Sequence, residues 1–224
     1  MPGGADAAVG RGRWRLDERR LYLCTPDRPD LERFVAACIG GGVDIVQLRE
    51  KHLPDRELMR RAALVARVCG DAGVPFVLND RPDLAVACGA DGVHVGQGDT
   101  PPDEARLLVG DDLLVGRSTH APDELERALR EPVDYVSAGP VVPTPTKPGR
   151  PGTGTAYAAW AEGRAPCTVW VTGGVTPETV GPLAAAGARH FVVVRWLTEA
   201  ADAGAAARAL RAAADDAVAA ACAV

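Results

Sequence analysis

Eight short apolar runs recur along the chain, and more polar segments separate them. They cover Leu21–Thr25, Asp44–Arg49, Phe76–Asn79, Gly92–Gly96, Leu113–Ser118, Tyr135–Ala138, Val169–Thr172 and His190–Val194. The runs have strand length and are rich in Val, Leu and aromatic residues. Because most are apolar throughout and do not alternate, we expect strands buried on both faces, as in a parallel sheet.

The segments between these runs carry apolar residues at helical spacing. The predicted helices cover Leu31–Gly40, Arg56–Gly70, Asp83–Cys88, Pro102–Val109, Asp123–Leu129, Ala156–Trp160, Thr176–Ala186 and Ala200–Ala214. Eight strands that alternate with helices predict a single-domain α/β fold, the closed (β/α)8 TIM barrel. An open doubly wound sheet is the alternative, but "LYLCTPDR" lacks the Gly-rich turn that usually follows the first strand of that fold.

Length and composition fit one domain with its own core. The chain has 224 residues, 47 % of them hydrophobic, and a net charge of −5 with both signs interspersed. This charge pattern predicts no nucleic-acid or membrane partner, and no apolar run reaches the roughly 18 residues of a membrane span. We expect residues 1–18 to be a flexible tail, from which Trp14 and Leu16 could dock, and residues 19–224 to form the barrel.

Six cysteines occur without any C-x-x-C pair, and most have apolar neighbours. Buried thiols are therefore expected, ahead of disulfides or a zinc site. Reduced thiols fit a cytoplasmic location.

Polar residues collect where the predicted strands end, which is where (β/α)8 barrels carry their chemistry. Gln47, Arg49 and Lys51 lie two residues apart at the end of the second strand, so they share one face. A solvated strand end is the other interpretation, but three long hydrogen-bond donors on the same face of a strand favour a ligand site. Ser118 ends the fifth strand and either contacts a ligand or caps a helix.

The third and fourth strands lead to Asn79-Asp80 and to Asp99. Neighbouring strands lie about 5 Å apart, so the two aspartates can share one cation. Two carboxylates with waters and substrate phosphates are typical of Mg²⁺. Helix capping explains either aspartate alone, and both interpretations stay open at this point. His94 and His120 lack ligand spacing, and a structural role is the safer interpretation for both.

The longest loop, from residue 138 to residue 154, follows the sixth strand and holds five prolines, three threonines and two cations. Prolines restrain it, while Thr144, Thr146 and Lys147 supply hydroxyls and a charge, so we interpret it as a phosphate-facing flap. After the seventh strand, Gly173-Gly174 allows backbone N–H groups to approach an anion.

Six motifs in order give the sequence a family resemblance. Over about Leu21 to Ala214 the sequence resembles the thiamine phosphate synthase family. The motifs that carry this resemblance are "QLREK", "LNDRPDLA", "GADGVHVGQGD", "GRSTH", "GPVVPTPTK" and "GGV". The resemblance implies a (β/α)8 barrel that joins a hydroxymethylpyrimidine diphosphate to a hydroxyethylthiazole phosphate and releases diphosphate. It implies small-molecule substrates and a possible homo-oligomer.

The resemblance also assigns residues, position by position. The residues that match the pyrimidine diphosphate site are Gln47, Arg49, Lys51, Asn79, Ser118 and Lys147. Among them, the catalytic candidates are Lys147, Arg49 and Ser118. Asp80 and Asp99 match the Mg²⁺ ligands. Thr144, Thr146, Gly174, Val194 and Arg195 match the thiazole phosphate site.

One corner departs from the family pattern. Many members end the eighth strand with Ser-Ala-Ile, whereas this chain has Arg195-Trp196-Leu197. Arg195 can add a charge-assisted bond to a phosphate, but Trp196 needs space that a small residue would not. A thiazole tautomerase-like barrel and a non-catalytic thiamine phosphate binder are the alternative functions; the former needs a placed acid or base, and neither needs the two aspartates.

Overall fold

The computed structural model describes residues 14–144 and 151–223. Eight strands in this part of the chain close into a barrel, with every strand parallel to both neighbours. The strands are β1 Leu21–Thr25, β2 Ile45–Leu48, β3 Phe76–Asn79, β4 Gly92–Val95, β5 Leu114–Thr119, β6 Tyr135–Ala138, β7 Thr168–Thr172 and β8 His190–Val193. The predicted (β/α)8 fold is therefore confirmed.

Helices connect the strands and cover the outside of the barrel. They are α1 Leu31–Gly40, α2 Asp55–Ala72, α3 Pro82–Ala85, α4 Pro102–Val109, α5 Pro122–Ala128, α6 Gly154–Arg164, α7 Pro177–Ala185, α8 Arg195–Thr198 and α9 Ala203–Cys222. Within the described ranges, none combines the length and hydropathy that a membrane crossing requires. All six cysteines are described, and none of them forms a disulfide.

The last predicted helix is wrong in both bounds. The chain forms the short α8 directly after β8, and α9 then begins where the Asp202 side chain accepts a hydrogen bond from Ala205 N at 2.9 Å. It continues eight residues past the predicted end at Ala214. Asp215 does not interrupt it, because Arg211 pairs with that carboxylate from one turn earlier at 2.7 Å.

Two cores hold the fold together. An outer core lies between the strands and the helices, and an inner core fills the barrel with Tyr22, Ile45, Val77, Leu114, Tyr135 and Trp170. The Tyr135 ring needs Gly116 beside it, because a Cβ at Gly116 would lie 2.1 Å from Tyr135 Cζ. The filled interior closes the lower barrel to ligands and leaves the carboxyl end of the strands as the place for a site.

The amino end of the barrel is closed by three similar carboxylate contacts. Asp44, Asp91 and Asp134 each precede an even-numbered strand, and each accepts a hydrogen bond from the backbone at the start of the strand before it. The acceptor–donor distances are 3.0 Å to Leu21 N, 2.9 Å to Phe76 N and 2.8 Å to Val115 N. These bonds give an acceptor to backbone N–H groups that would otherwise be buried at the edge of the sheet without any hydrogen-bond partner.

Residues 14–18 pack against this end of the barrel. Trp14 and Leu16 contact the inner core, and a short 3-10 turn covers Leu16–Glu18. Arg19 Nε donates to Trp14 O at 3.0 Å, which fixes the segment in place. The first 13 residues lie outside the described part of the chain, so the predicted tail boundary stays a prediction.

Candidate active site

The top layer of the barrel interior is polar. All eight strands contribute to a cavity at their carboxyl ends, which we call the mouth pocket. Its lining from the strands and the residue after β8 is Tyr22, Cys24, Gln47, Asn79, His94, Ser118, Ser137, Thr172, Val192 and Val194. The cavity has about 490 Å³ of empty space and is also lined by Arg49. Because a polar layer sits directly above an apolar one, the mouth pocket is suited to a ligand with several polar groups.

Two amides in the mouth pocket are held differently. The Gln47 amide is fixed, because its Nε2 donates to Tyr22 Oη at 2.8 Å and its Oε1 accepts from Cys24 Sγ at 3.2 Å. Asn79 Nδ2 is buried, yet it has no hydrogen-bond partner among the residues that the structure describes. A buried donor without a partner is unfavourable, so Asn79 is a strong candidate for ligand binding.

Ser118 lies beside a histidine inside the same pocket. His94 Nε2 is 2.9 Å from Ser118 Oγ, and His94 Nδ1 is 3.3 Å from Tyr135 Oη. Ser137 Oγ donates weakly to Ser118 Oγ at 3.5 Å. His94 therefore has the expected structural contacts, and it also lines the mouth pocket.

The two predicted metal ligands face each other above β3 and β4. Their carboxyl groups interact directly, and Lys51 Nζ lies 2.6 Å from Asp80 Oδ2. Burial and the neighbouring Asp99 raise the pKa of Asp80, against the opposing charge of Lys51. Burial alone would also raise the pKa of Asp99, but Asp80, the Gly96 N–H and Lys51 together hold it below its ordinary value. Asp99 is therefore the stronger acid of the two, and Asp80 is the first to take up a proton as the pH falls.

This carboxylate pair has the donor chemistry of a magnesium site. Asp80 adopts φ +61, a conformation that non-glycine residues rarely take, and its carboxyl group lies against that of Asp99. Among the described residues no group of three or more His, Cys, Asp or Glu side chains could hold a metal. A cation here would need further oxygens from water or substrate, which Mg²⁺ normally retains.

A second cavity, which we call the loop pocket, lies over the ends of β7 and β8. It has about 530 Å³ of empty space, and its walls include Gly173, Gly174, Thr144, Arg195 and Trp196. Three residues, Thr172, Val192 and Val194, line both pockets, so the two cavities adjoin.

The turn after β7 is held in an unusual conformation. Gly173 and Gly174 have φ +96 and +77, and a Cβ on Gly173 would lie 2.6 Å from Pro140 Cβ. Thr179 Oγ1 donates to Gly174 O at 2.7 Å and accepts from Thr176 N at 2.8 Å, at the start of α7. The turn thus presents backbone to the loop pocket with no side chain in between.

The eighth-strand corner accommodates its bulky residues. Trp196 Nε1 donates to Ala206 O on α9 at 3.1 Å, so the indole packs towards the outer core and still forms one wall of the loop pocket. Arg195 is exposed and lines the same pocket. The departure from the usual small residues therefore leaves the pocket open and places a cation at its rim.

Two predicted residues cannot be located. Thr146 and Lys147 lie in residues 145–150, outside the described residues, so the flap and the catalytic role of Lys147 stay predictions. The structure places the other candidates in three groups: Gln47, Arg49, Asn79 and Ser118 in the mouth pocket, Lys51, Asp80 and Asp99 in contact with one another after β2, β3 and β4, and Thr144, Gly174, Val194 and Arg195 in the loop pocket.

Three further residues line the mouth pocket although the sequence did not predict them: Cys24, Ser137 and Thr172. A signal for them exists, because each lies two residues after an inward aromatic or aliphatic residue on its own strand. Tyr22 and Cys24, and likewise Tyr135 and Ser137, are such pairs.

Known proteins resemble this chain over most of its length. Residues 21–197 match the family described as thiamine monophosphate synthase. A thiamine-phosphate synthase of Thermus thermophilus is 47 % identical over 199 residues, 86 % of this chain and 95 % of that one. The enzyme of the same name from Thermobifida fusca is 46 % identical over 204 residues, 89 % and 94 % of the two chains.

Solved structures show the same likeness. Thiamine phosphate pyrophosphorylase from Pyrococcus furiosus superposes with a TM-score of 0.82 at 25 % identity, over 89 % of this chain and 96 % of that one. A 3-hexulose-6-phosphate synthase, with a TM-score of 0.64 and 21 % identity over 87 % of this chain and 99 % of that one, shares the fold alone.

Fold and site define a (β/α)8 barrel with a polar mouth that carries cationic side chains at the carboxyl ends of its strands. The chain belongs to the thiamine monophosphate synthase family, which confirms the resemblance seen in its motifs. This membership places it among the transferases of thiamine biosynthesis.

Proposed function

We propose that this chain joins 4-amino-2-methyl-5-(diphosphooxymethyl)pyrimidine to 4-methyl-5-(2-phosphooxyethyl)thiazole, giving thiamine phosphate and diphosphate. The observation that carries the proposal is the pair of adjoining cavities with different linings. One offers buried amides, hydroxyls and Arg49 to a polar ring with a diphosphate, and the other offers backbone and Arg195 to a phosphate.

In this proposal the pyrimidine lies in the mouth pocket. The fixed amide of Gln47 and the unpartnered Nδ2 of Asn79 suit the polar edge of an aminopyrimidine. Arg49, Lys51 and Ser118 face the diphosphate, with Lys147 as a further predicted contact. The thiazole phosphate lies in the loop pocket, where Gly174, Thr144, Thr146, Val194 and Arg195 are the expected contacts.

The reaction is proposed to be a dissociative substitution. The carbon–oxygen bond between the pyrimidine methylene and the diphosphate breaks, and the oxygen keeps the electron pair. The pyrimidine ring, with its amino group, spreads the positive charge left on the methylene carbon. The thiazole nitrogen then gives its lone pair to that carbon, so one C–O bond is exchanged for one C–N bond.

Charge stabilisation at the leaving group is the main task assigned to the protein. The leaving diphosphate gains negative charge as the bond breaks, and Arg49, Lys51 and Lys147 are the cations proposed to stabilise it. Asp80 and Asp99 would hold Mg²⁺, which when bound offsets part of the same negative charge. Closure of the loop that contains Lys147 would keep water from the cation.

No general base is needed, because the attacking nitrogen carries no proton. This matches the state of the pocket histidine, since both ring nitrogens of His94 already contact other side chains. A tautomerase-like barrel would need a free acid or base at this place. Neither a tautomerase-like barrel nor a non-catalytic binder requires Lys51 and the Asp80–Asp99 pair next to the unpartnered amide donor of Asn79.

A direct test incubates the purified protein with both substrates and Mg²⁺. Oxidation of the product to a fluorescent thiochrome phosphate and a separate assay for diphosphate measure the two products independently. We expect equal amounts of both products and none when either substrate is omitted. Binding of thiamine phosphate without any turnover would overturn the proposal in favour of a sensor.

A further inference from the structure

A hydrogen-bonded chain crosses the barrel from Gln47 to Ser118. Gln47 Nε2 lies 2.8 Å from Tyr22 Oη, and Tyr22 Oη lies 2.9 Å from Tyr135 Oη. Tyr135 Oη is 3.3 Å from His94 Nδ1, and His94 Nε2 is 2.9 Å from Ser118 Oγ. All five side chains are at most 7 % exposed, so water competes little for these bonds.

These hydrogen bonds all run in one direction, from donor to acceptor, and the Gln47 amide sets that direction. Its Oε1 accepts from Cys24 Sγ, which leaves the amide nitrogen facing Tyr22, and that nitrogen can only donate. Tyr22 must therefore accept from Gln47 and give its own hydrogen to Tyr135. Tyr135 in turn gives its hydrogen to Nδ1 of His94.

The same order of donors continues from His94 to Ser118, where Nε2 of His94 donates to the hydroxyl oxygen. With Nδ1 as an acceptor, the hydrogen of the neutral ring sits on Nε2 and points at Ser118 Oγ. Ser137 also donates to this oxygen. Neither contact uses the hydrogen of Ser118, and Ser118 lines the mouth pocket, so the hydroxyl hydrogen is left to point into the cavity.

We propose that Tyr22, Tyr135 and His94 are positioning residues that make Ser118 a hydrogen-bond donor to the leaving diphosphate. The inference rests on the proposed function, since it needs an anion beside Ser118. The reverse direction is disfavoured because the buried Tyr22 hydrogen would lose Tyr135 Oη as its acceptor, and its other hydrogen-bonded neighbour, the Gln47 N–H group, can only donate. It would also consume the Ser118 hydrogen in a bond to His94.

The tautomer of His94 tests the direction without any substrate. We would record ¹⁵N NMR spectra of the full-length protein with labelled histidine and assign His94 from the signals lost in His94→Gln. The expected result is an unprotonated Nδ1 and a protonated Nε2 in the ligand-free enzyme. A protonated Nδ1 with an unprotonated Nε2 would overturn the inference.

Kinetics tests the consequence at Ser118. Tyr135→Phe removes the donor to Nδ1 and lets the ring exchange tautomers, so kcat should fall about tenfold or more, the effect of one hydrogen bond to a charged group. The KM for the thiazole phosphate should stay within about twofold. Tyr157→Phe is the matched control, because Tyr157 Oη donates to Thr119 Oγ1 at 2.7 Å outside this chain of bonds. Equal kcat values for the two variants would contradict the inference.

A conservative substitution at His94 separates positioning from packing. His94→Gln keeps an N–H donor near Ser118 and should retain more of kcat than His94→Leu, at similar thermal stability. Equal losses in both variants would overturn the inference. If the wild-type protein makes no thiamine phosphate, the proposed function fails. If it does, but His94 carries its hydrogen on Nδ1, the inference alone fails.

Discussion

At the scale of single residues, the carboxylate pair is the least ordinary feature of the molecule. Asp80 is held in a left-handed conformation, pairs with Lys51 at 2.6 Å and lies against a second carboxylate, Asp99. Such strain and mutual repulsion lower stability, so they are usually retained where function requires them. The cation proposed for this place would remove the repulsion.

We therefore predict that Asp80→Asn and Asp99→Asn each lower kcat by roughly 10²-fold or more, the scale of losing one charge-stabilising group, and raise the Mg²⁺ concentration needed for half activity. The control is Asp83→Asn, a nearby exposed carboxylate that pairs with Arg81 at 2.6 Å, which should leave the steady-state kinetics unchanged. Full activity of both Asn variants, or of wild-type enzyme in excess chelator, would remove the metal from the account.

Glu162 offers a test of stability against pH. Burial raises the pKa of Glu162 to about 7, although Arg189 N donates to it at 3.2 Å. The unfolded value is about 4.5, so between these values the folded protein holds a proton that the unfolded chain releases. Stability is therefore highest below pH 4.5 for this group and falls as pH rises through 7.

Replacing this carboxyl with an amide should remove that slope. Compared with wild type, Glu162→Gln should gain about 1–3 kcal/mol of unfolding free energy between about pH 5 and about pH 8. Urea unfolding of both proteins at the two pH values measures it. Glu104→Gln, at an exposed position on α4, should track the wild type. Parallel curves for Glu162→Gln and wild type would show that Glu162 titrates normally.

At the scale of elements, the carboxylates before β2, β4 and β6 join each even strand to the strand before it. Asp91→Ala leaves the Phe76 N–H without its acceptor, so we predict a loss of roughly 1–3 kcal/mol in unfolding free energy. Asp112→Ala, at an exposed position in the turn before β5, should change it by about 0.5 kcal/mol or less. Denaturant unfolding compares the two variants, and equal small effects would show that the Asp91 contact adds no stability.

The turn after β7 is the element on which the loop pocket depends. Gly173→Ala would place a Cβ 2.7 Å from Val141 N at a positive φ, so either the turn or the 140–142 segment must shift. We predict a rise of about tenfold or more in the KM for the thiazole phosphate, because displaced binding groups act through positioning. Gly181→Ala on α7 meets open space and serves as the control. An unchanged KM in Gly173→Ala would argue against phosphate binding at this turn.

The strands and their order were predictable from the sequence, because burial on both faces leaves apolar runs that are easily recognised. Phe76–Asn79 and Tyr135–Ala138 match their predicted bounds. The end of α9 was not predictable in the same way. Its acidic residues resemble a helix end until Arg20 and Arg211 are seen to pair with Asp215.

The polar mouth was predictable only in part. Gln47, Arg49 and Asp80 stand out because polar groups interrupt apolar runs. The place of His94 beside Ser118 was not visible, since it depends on how two neighbouring strands are aligned, with His94 opposite Gly116. Periodicity within one strand shows which residues share a face, but it does not show which residue of the next strand lies opposite.

At the scale of the whole molecule, barrel closure brings β1 next to β8 and places the two pockets side by side. Residues far apart in the sequence, such as Gln47 and Val194, line one cavity as a result. We expect a diphosphate held in one pocket to leave before a thiazole in the other attacks. The order of these two steps is the central chemical claim.

Single-turnover kinetics with a trifluoromethyl group in place of the pyrimidine methyl group tests this order most directly. The substituent withdraws electrons and destabilises the cation, while it changes the size of the ring little. Each loss of about 1.4 kcal/mol of stabilisation slows the step about tenfold, so we predict a slowing of several orders of magnitude. A rate near that of the methyl substrate would contradict the dissociative order, and no thiamine phosphate from the methyl substrate would contradict the function itself.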